Sequence, residues 1–130
     1  MDPFGNVSHE AALALRESLD PDERECVEER VADLLDVLGR AHAMAVLSAF
    51  AFADGPLRFS ELEDSLDVAP NTLSARLSEL TEAGLVDREA YDEVPPRVEY
   101  EPTESARALF PAFGYLHVWA AEYELATGRE

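Results

Sequence analysis

Residues 59–85 carry the pattern that most restricts what this chain can fold into: two short amphipathic segments, each with its own start signal, with a tight turn between them. Ser60 followed by Glu63 reads as a capping box, in which a serine oxygen and a glutamate carboxylate satisfy free N–H groups at a helix start, and Phe59 is placed to act as the staple. Leu62 and Leu66 then lie one turn apart. Pro70 suits the first position of a second helix, because its fixed φ is already helical and its missing N–H has no partner to lose there. Leu73, Leu77 and Leu80 repeat at helical spacing and form the buried stripe of that helix, which turns Asn71, Thr72, Ser74, Ala75 and Ser78 outward. Gly84 stops it.

Two helices about four residues apart, the second with small polar side chains outward, form the pattern of a helix-turn-helix. An ordinary helical hairpin has the same period, and charge separates the two. The chain holds 28 acidic residues in 130, yet residues 68–78 contain none and are still polar. The other long acid-free runs, 37–53 and 105–121, are apolar, so burial explains them. A polar surface kept clear of carboxylates in so acidic a chain is one that meets something negative, and DNA is the expected partner.

Length sets one domain with a real core. The longest apolar run, residues 43–53, is 11 long, well short of the ~20 residues that a membrane span needs. The opening residues lack the basic and apolar regions of a signal peptide, so a cytoplasmic location is expected. One cysteine, Cys26, excludes an internal disulfide and a cysteine-rich zinc site. His9, His42 and His117 have no metal-ligand spacing, and His42 is expected in the core or an interface. Neither a phosphate-binding glycine loop nor a nucleophile motif is present, which argues against an enzyme.

The charge is unusual. Ten basic residues, all arginine, face the 28 acids for a net charge of −18. Such a surface repels phosphates at ordinary salt, but at molar salt the Debye length falls to about 3 Å and the long-range repulsion disappears. An acidic, lysine-free chain fits a salt-loaded cytoplasm such as that of halophilic archaea. Disorder is excluded by a 47% hydrophobic content with regular periodicity.

Along the chain, residues 1–7 read as a frayed terminus and Ser8 caps a helix to about Leu19. Asp20-Pro21-Asp22-Glu23 opens another, with acids at its positive end, and its expected core stripe is Val27, Val31, Leu34, Leu35 and Leu38. Residues 41–53 are apolar on nearly every side, Phe50 and Phe52 included, and form the central helix. After Gly84 the period changes to that of strands: residues 85–91 and 97–100 make a two-stranded hairpin with a proline-bearing tip. Thr103 caps a last helix to about Leu125, which Pro111 is expected to kink or divide.

A helix-turn-helix followed by a hairpin is a winged helix, whose second helix enters the major groove, where each base pair presents a distinct pattern. Asn71, Thr72, Ser74, Arg76 and Ser78 are the expected contacts from that helix, Arg97 from the wing, and Arg58 with Ser60 from the start of the first helix. An arginine in so acidic a chain can instead be held in a surface ion pair. Arg76 and Arg97 are expected to face DNA, and Arg58 and Arg88 are divided between the two roles.

The segments Arg58-Phe59-Ser60-Glu61-Leu62, Leu73-Ser74-Ala75-Arg76-Leu77, Gly84-Leu85-Val86-Asp87-Arg88 and Val94-Pro95-Pro96-Arg97-Val98-Glu99-Tyr100 resemble those of HxlR-type winged-helix transcriptional regulators. The resemblance covers most of the chain, from about Cys26 to Glu122. Gly39 stands where that family has a glycine before a Lys-Trp pair, but Ala41 and His42 stand here instead. The resemblance implies a homodimer formed by the terminal helices, with two recognition helices and two wings on a pseudo-palindromic site. The apolar side chains Tyr115, Leu116, Trp119 and Tyr123, with Leu15 and Leu19 on the first helix, agree with such an interface. Some relatives sense oxidants through a cysteine near the position of Cys26; its neighbours Glu25, Glu28 and Glu29 disfavour the thiolate that this needs.

The expectation is therefore a single mostly helical domain with a small β-hairpin wing: N-terminal helices at 8–38, a winged helix-turn-helix core at 41–102 and a dimerising helix at 103–126. Recognition falls to residues 70–83 and the wing to 85–102. The partners are double-stranded DNA and a second copy, with no membrane. No cofactor is required beyond K⁺ or other salt cations, which carboxylates such as Glu79, Asp92 and Glu93 would hold against the phosphates. The alternative is a winged-helix module that docks on a protein of the transcription machinery without reading DNA. An apolar pocket for a small effector between the terminal helices would be compatible with either.

Overall fold

Most of the start signals in the sequence are used where they are written. Ser8 Oγ accepts the Ala11 N–H at 3.1 Å and opens α1 (His9–Ser18). Asp20 and Glu23 form a reciprocal capping box, with the Glu23 N–H on Asp20 Oδ1 at 2.8 Å and the Asp20 N–H on Glu23 Oε1 at 2.9 Å, and Pro21 begins α2 (Pro21–Leu38). The computed structural model describes residues 8–126, so the expected frayed terminus at 1–7 lies outside the described residues. The remaining elements are α3 (Ala43–Ala51), β1 (Leu57–Arg58), α4 (Phe59–Ser65), α5 (Pro70–Glu82), β2 (Val86–Tyr91), β3 (Arg97–Pro102) and α6 (Glu104–Glu122).

One start signal is not used. The Ser60–Glu63 box does not form: α4 begins at Phe59, and the Arg58 N–H donates to Glu61 Oε1 at 2.8 Å. The cause is β1, a two-residue strand that pairs antiparallel with β3, Leu57 opposite Tyr100 and Arg58 opposite Glu99. Pinned to the sheet through Arg58, the chain turns into its helix directly afterwards, and Glu61 takes the part expected of Glu63. The expected two-stranded hairpin is thus a three-stranded antiparallel sheet in the order β1-β3-β2.

The core is built around α3, whose Val46, Leu47 and Phe50 pack with Leu62 of α4, Leu73, Leu77 and Leu80 of α5, Leu85, Val86 and, from α6, Ala106 and Phe113. Removing the Leu77 side chain, 1% exposed at the centre of this cluster, leaves a cavity that the neighbouring helices cannot close. Leu77→Ala is expected to lower unfolding stability by about 2–5 kcal/mol, read as an unchanged denaturant slope with a lower midpoint. After α5 the backbone reverses through Gly84 at φ +78°. The Leu85 N–H reaches Leu80 O at 2.9 Å and the Gly84 N–H reaches Thr81 O at 3.1 Å, a Schellman stop that needs the left-handed residue glycine supplies. Thr103 Oγ1 donates to Gly84 O at 2.7 Å and accepts the Ala106 N–H, which ties the start of α6 to this turn.

Several expectations about burial are corrected. Val27, Val31 and Leu35 are exposed, and only Leu34, Val37 and Leu38 of α2 touch the core. The helix is 18 residues long, about 27 Å at 1.5 Å per residue, and it packs on α3 only through its C-terminal end. Phe52, placed in the central helix by its hydrophobicity, caps the end of α3 and is 86% exposed. His42 is not in the core: it is the exposed residue before α3, in a left-handed conformation at φ +70°. α6 runs unbroken through Pro111. Arg107 and Pro111 both lie on the exposed side, where water can take the carbonyl that the proline leaves without its N–H.

Among the described residues no single helix is long and apolar enough to cross a membrane.

Candidate nucleic-acid interface

The interface is organised by α5. Its buried leucines, Leu73, Leu77 and Leu80, face the core, so the helical period presents Asn71, Ser74 and Ser78 to solvent, and all three are exposed. Thr72 and Ala75, also expected outward, are half-buried at the margin of the stripe. The α4–α5 turn occupies residues 66–69, and Pro70 opens α5 with acids absent from its first turn. Arg58 and Ser60, at the start of α4, are exposed.

Arg76 does not project freely. Its Nη1 lies 3.2 Å from Glu79 Oε1, and Arg40, from the turn after α2, places its own Nη1 3.0 Å from the same oxygen. Arg40 also reaches Asp36 at 3.6 Å. Contact with Glu79, and then its charge, holds the Arg40 guanidinium above its ordinary pKa, with Asp36 adding to the effect. The recognition helix is thereby tied to the end of α2 through one carboxylate.

The wing holds its arginine in the same manner. Arg97 Nε is 3.1 Å from Glu93 Oε2, Nη1 is 3.6 Å from Glu99 Oε2, and the guanidinium sits 4.0 Å over the Tyr91 ring, a cation–π position. Desolvation, and then the charges of Glu99 and Glu89, raise the Tyr91 phenol pKa above its usual value. Of the four arginines weighed for DNA contact, Arg76 and Arg97, expected to face DNA unpaired, are therefore the two that are paired. Arg58 and Arg88 form no ion pair among the described residues. The reason is reach: Glu79 lies one helical turn from Arg76, and the hairpin brings Glu93 and Glu99 to Arg97 from either side.

The register of the hairpin adds a feature that no local pattern reveals. Asp87 stands directly opposite Glu101, and Glu89 opposite Glu99. Facing carboxylates at this spacing destabilise a sheet in dilute buffer. These four residues share the lining of one shallow cleft with Arg88, Tyr91 and Tyr100. No group of metal-ligating side chains occurs among the described residues.

Large apolar side chains are also exposed on α6, α1 and α2. Tyr115, Leu116, Trp119 and Tyr123 of α6 are exposed, at 73%, 52%, 39% and 64% respectively, and the Trp119 and Tyr123 rings lie 5.7 Å apart. Leu15 is exposed and Leu19 half-buried in a cleft between α1 and α2, which Val27 also lines. Val31 and Leu35, assigned to the core by their spacing, are exposed on α2 as well. Cys26 is exposed on α2.

A two-helix unit with a tight turn, an outward polar face on its second helix and a three-stranded sheet with a hairpin wing behind it defines a winged helix-turn-helix DNA-binding protein. The HxlR-like helix-turn-helix family matches residues 37–127, and the chain belongs to that family. It is 36% identical over 95 residues to the uncharacterized HTH-type transcriptional regulator YvaP of Bacillus subtilis, covering 72% of this chain and 86% of that one. To the uncharacterized HTH-type transcriptional regulator Rv3095 of Mycobacterium tuberculosis it is 39% identical over 95 residues, 73% of this chain and 59% of that protein's length. Among solved structures, the redox regulator HypR in its oxidized form superposes with a TM-score of 0.63 at 32% identity, over 75% of this chain and 99% of that one. The protein is a transcriptional regulator of the winged helix-turn-helix class and not an enzyme.

Proposed function

We propose that this regulator acts as a homodimer that reads a pseudo-palindromic DNA site, with the recognition helix at 70–83 in the major groove and the wing at 85–102 on the flanking backbone. The dimer is held by the terminal helices, α1 and α2 within 8–38 and α6 within 103–126, around the winged core at 41–102. The observation that carries the reading is the outer face of α5: Asn71, Ser74 and Ser78 are exposed opposite three fully buried leucines, on a stretch, 68–78, without a single carboxylate. Side chains of this size and polarity suit base edges and phosphates in the major groove. Arg58 and Ser60 at the start of α4, Thr72 and Arg76 on α5 and Arg97 on the wing complete the contact set. The exposed apolar side chains of α6 and α1 support the two-fold, because a patch of large aromatics left in water is the mark of an interface. Two half-sites about one helical turn apart follow from it.

The working environment is concentrated salt. A net charge of −18 and two pairs of carboxylates facing each other across the wing are tolerable where the Debye length is about 3 Å and costly where it is about 10 Å. Cations held between the protein's carboxylates and the DNA phosphates are part of the contact. Thiol sensing at Cys26, exposed on α2, is the weaker reading.

Calorimetric titration of the protein's own promoter fragment across roughly 0.5–3 M KCl, a range in which screening is nearly complete, tests the reading. Saturable binding with two subunits per site, steady or tighter as salt rises, is the expected result. A folded dimer that binds nowhere in this range overturns it, and favours the module that docks on another protein, a reading with which the paired state of Arg76 and Arg97 also agrees.

A further inference from the structure

Arg76 on α5 and Arg97 on the wing are both occupied, and in both cases imperfectly. Arg76 Nε and Arg97 Nε are buried atoms without an aligned hydrogen-bond acceptor, although Glu93 Oε2 lies 3.1 Å from the latter. Glu79 Oε1 likewise has no aligned donor, despite guanidinium nitrogens at 3.0 and 3.2 Å. The carboxylates hold these side chains by charge and leave a guanidinium N–H unsatisfied. A phosphate or a guanine edge offers what they do not, a bidentate acceptor in the plane of the guanidinium. The surroundings are also net negative: Arg97 carries one positive charge between Glu93 and Glu99, so an approaching phosphate meets repulsion until those carboxylates are screened or hold other cations.

We infer that Glu93 with Glu99 on the wing is a salt-released latch that keeps Arg97 from DNA and hands it over when cations replace the arginine on the carboxylates, and that Glu79 on the recognition helix holds Arg76 back more weakly and releases it by screening, keeping Arg40 as its partner. This rests on the DNA-reading function proposed above and names the residues through which salt acts on it. The ion balance sets the sign. Each phosphate neutralised releases about 0.9 of a condensed cation, so Arg76 and Arg97 on two phosphates release about 1.8 per subunit. Glu93 and Glu99, left without their arginine, take up on the order of one cation each at high salt, while Glu79 keeps Arg40. Release and uptake nearly cancel. The contribution of these two arginines is therefore almost flat with KCl, where an open arginine would lose affinity steeply.

The latch differs from general repulsion by acidic side chains, and Asp92 separates the two. It is exposed on the same wing tip as Glu93 and forms no ion pair among the described residues. Fluorescence anisotropy of a labelled promoter duplex is measured with the full chain, Glu93→Gln, Glu79→Gln and Asp92→Asn from 0.5 to 3 M KCl, with circular dichroism confirming the fold of each. Glu93→Gln is expected to bind up to about five-fold tighter per subunit at the low-salt end, the scale of one exposed ion pair. Its advantage should close towards 3 M, where salt has opened the latch in the parent, and Glu79→Gln should do the same more weakly. Equal gains from Asp92→Asn and Glu93→Gln overturn the latch in favour of plain charge. A loss of affinity in Glu93→Gln, with the parent binding normally, also overturns it, since Glu93 is then a clamp that the wing needs. In both of those results the DNA-reading function stands. If no protein in the series binds the duplex at any salt, that function fails and the latch fails with it.

Discussion

Replacing Asn71 and Arg76 together with alanine is expected to abolish retention of the promoter duplex while the protein stays folded and dimeric. Asn71 is exposed in the first turn of α5, the end of a recognition helix that reaches base edges, and Arg76 lies on the same helix, with its side chain 19% exposed. A well-formed bidentate contact to a base is worth about 1–3 kcal/mol, so loss of both costs at least about thirty-fold in affinity. Neither side chain belongs to the buried cluster around Leu73, Leu77 and Leu80, and Glu79 keeps its contact with Arg40 when Arg76 is removed. Anisotropy with the cognate and a scrambled duplex distinguishes their roles: a base-reading residue loses discrimination, whereas a phosphate contact weakens both duplexes alike. Undiminished binding by the double variant would mean that α5 is not the reading helix.

The second large effect concerns assembly. If the chain assembles as proposed, Trp119→Asp is expected to give a folded monomer of 14.3 kDa that binds a single half-site weakly. Trp119 lies between Tyr115 and Tyr123 at helical spacing on α6, outside the core cluster, and stacks near Tyr123. Buried aromatics at the centre of an interface commonly carry 2 kcal/mol or more each. The two-fold repeats the change on both sides, so the dimer dissociation constant rises by about a thousand-fold or more. Sedimentation velocity reads the result directly, with thermal unfolding as the control for the fold. A variant that still sediments as a dimer places the interface elsewhere on the chain.

How far the amino-acid order alone reaches is visible in which features it resolved. Ser8, Asp20 with Glu23, Pro21, Pro70, Gly84 and Thr103 mark helix ends, and all act at those places, because a cap satisfies N–H or C=O groups within four residues of itself. The stripe of Leu73, Leu77 and Leu80 and the polar face opposite it are likewise set by the period of one helix. Together with the change to strand period after Gly84, they were enough to read a winged helix-turn-helix and to place the face of α5.

What only the tertiary structure decided lies beyond that range. β1 is two residues long, too short to have a period, and exists because β3 pairs with it; that pairing moved the start of α4 and left the Ser60 box unused. Val27, Val31 and Leu35 have the spacing of a core stripe, yet the stripe fixes only which side of α2 is apolar, and whether this chain or a second copy covers it depends on where the helix ends relative to α3. The pairing of Arg97 with Glu93 and Glu99, and of Arg40 with Glu79, 39 positions away in sequence, follows from the register of the hairpin and the packing of α2 and α5 on α3. Hydrogen bonds at helix ends and helical periodicity are local, and the sequence states them. Charge acts through space between residues brought together by folding, so the ion pairs that tie Arg97 to Glu99 and Arg40 to Glu79 were decided by the fold.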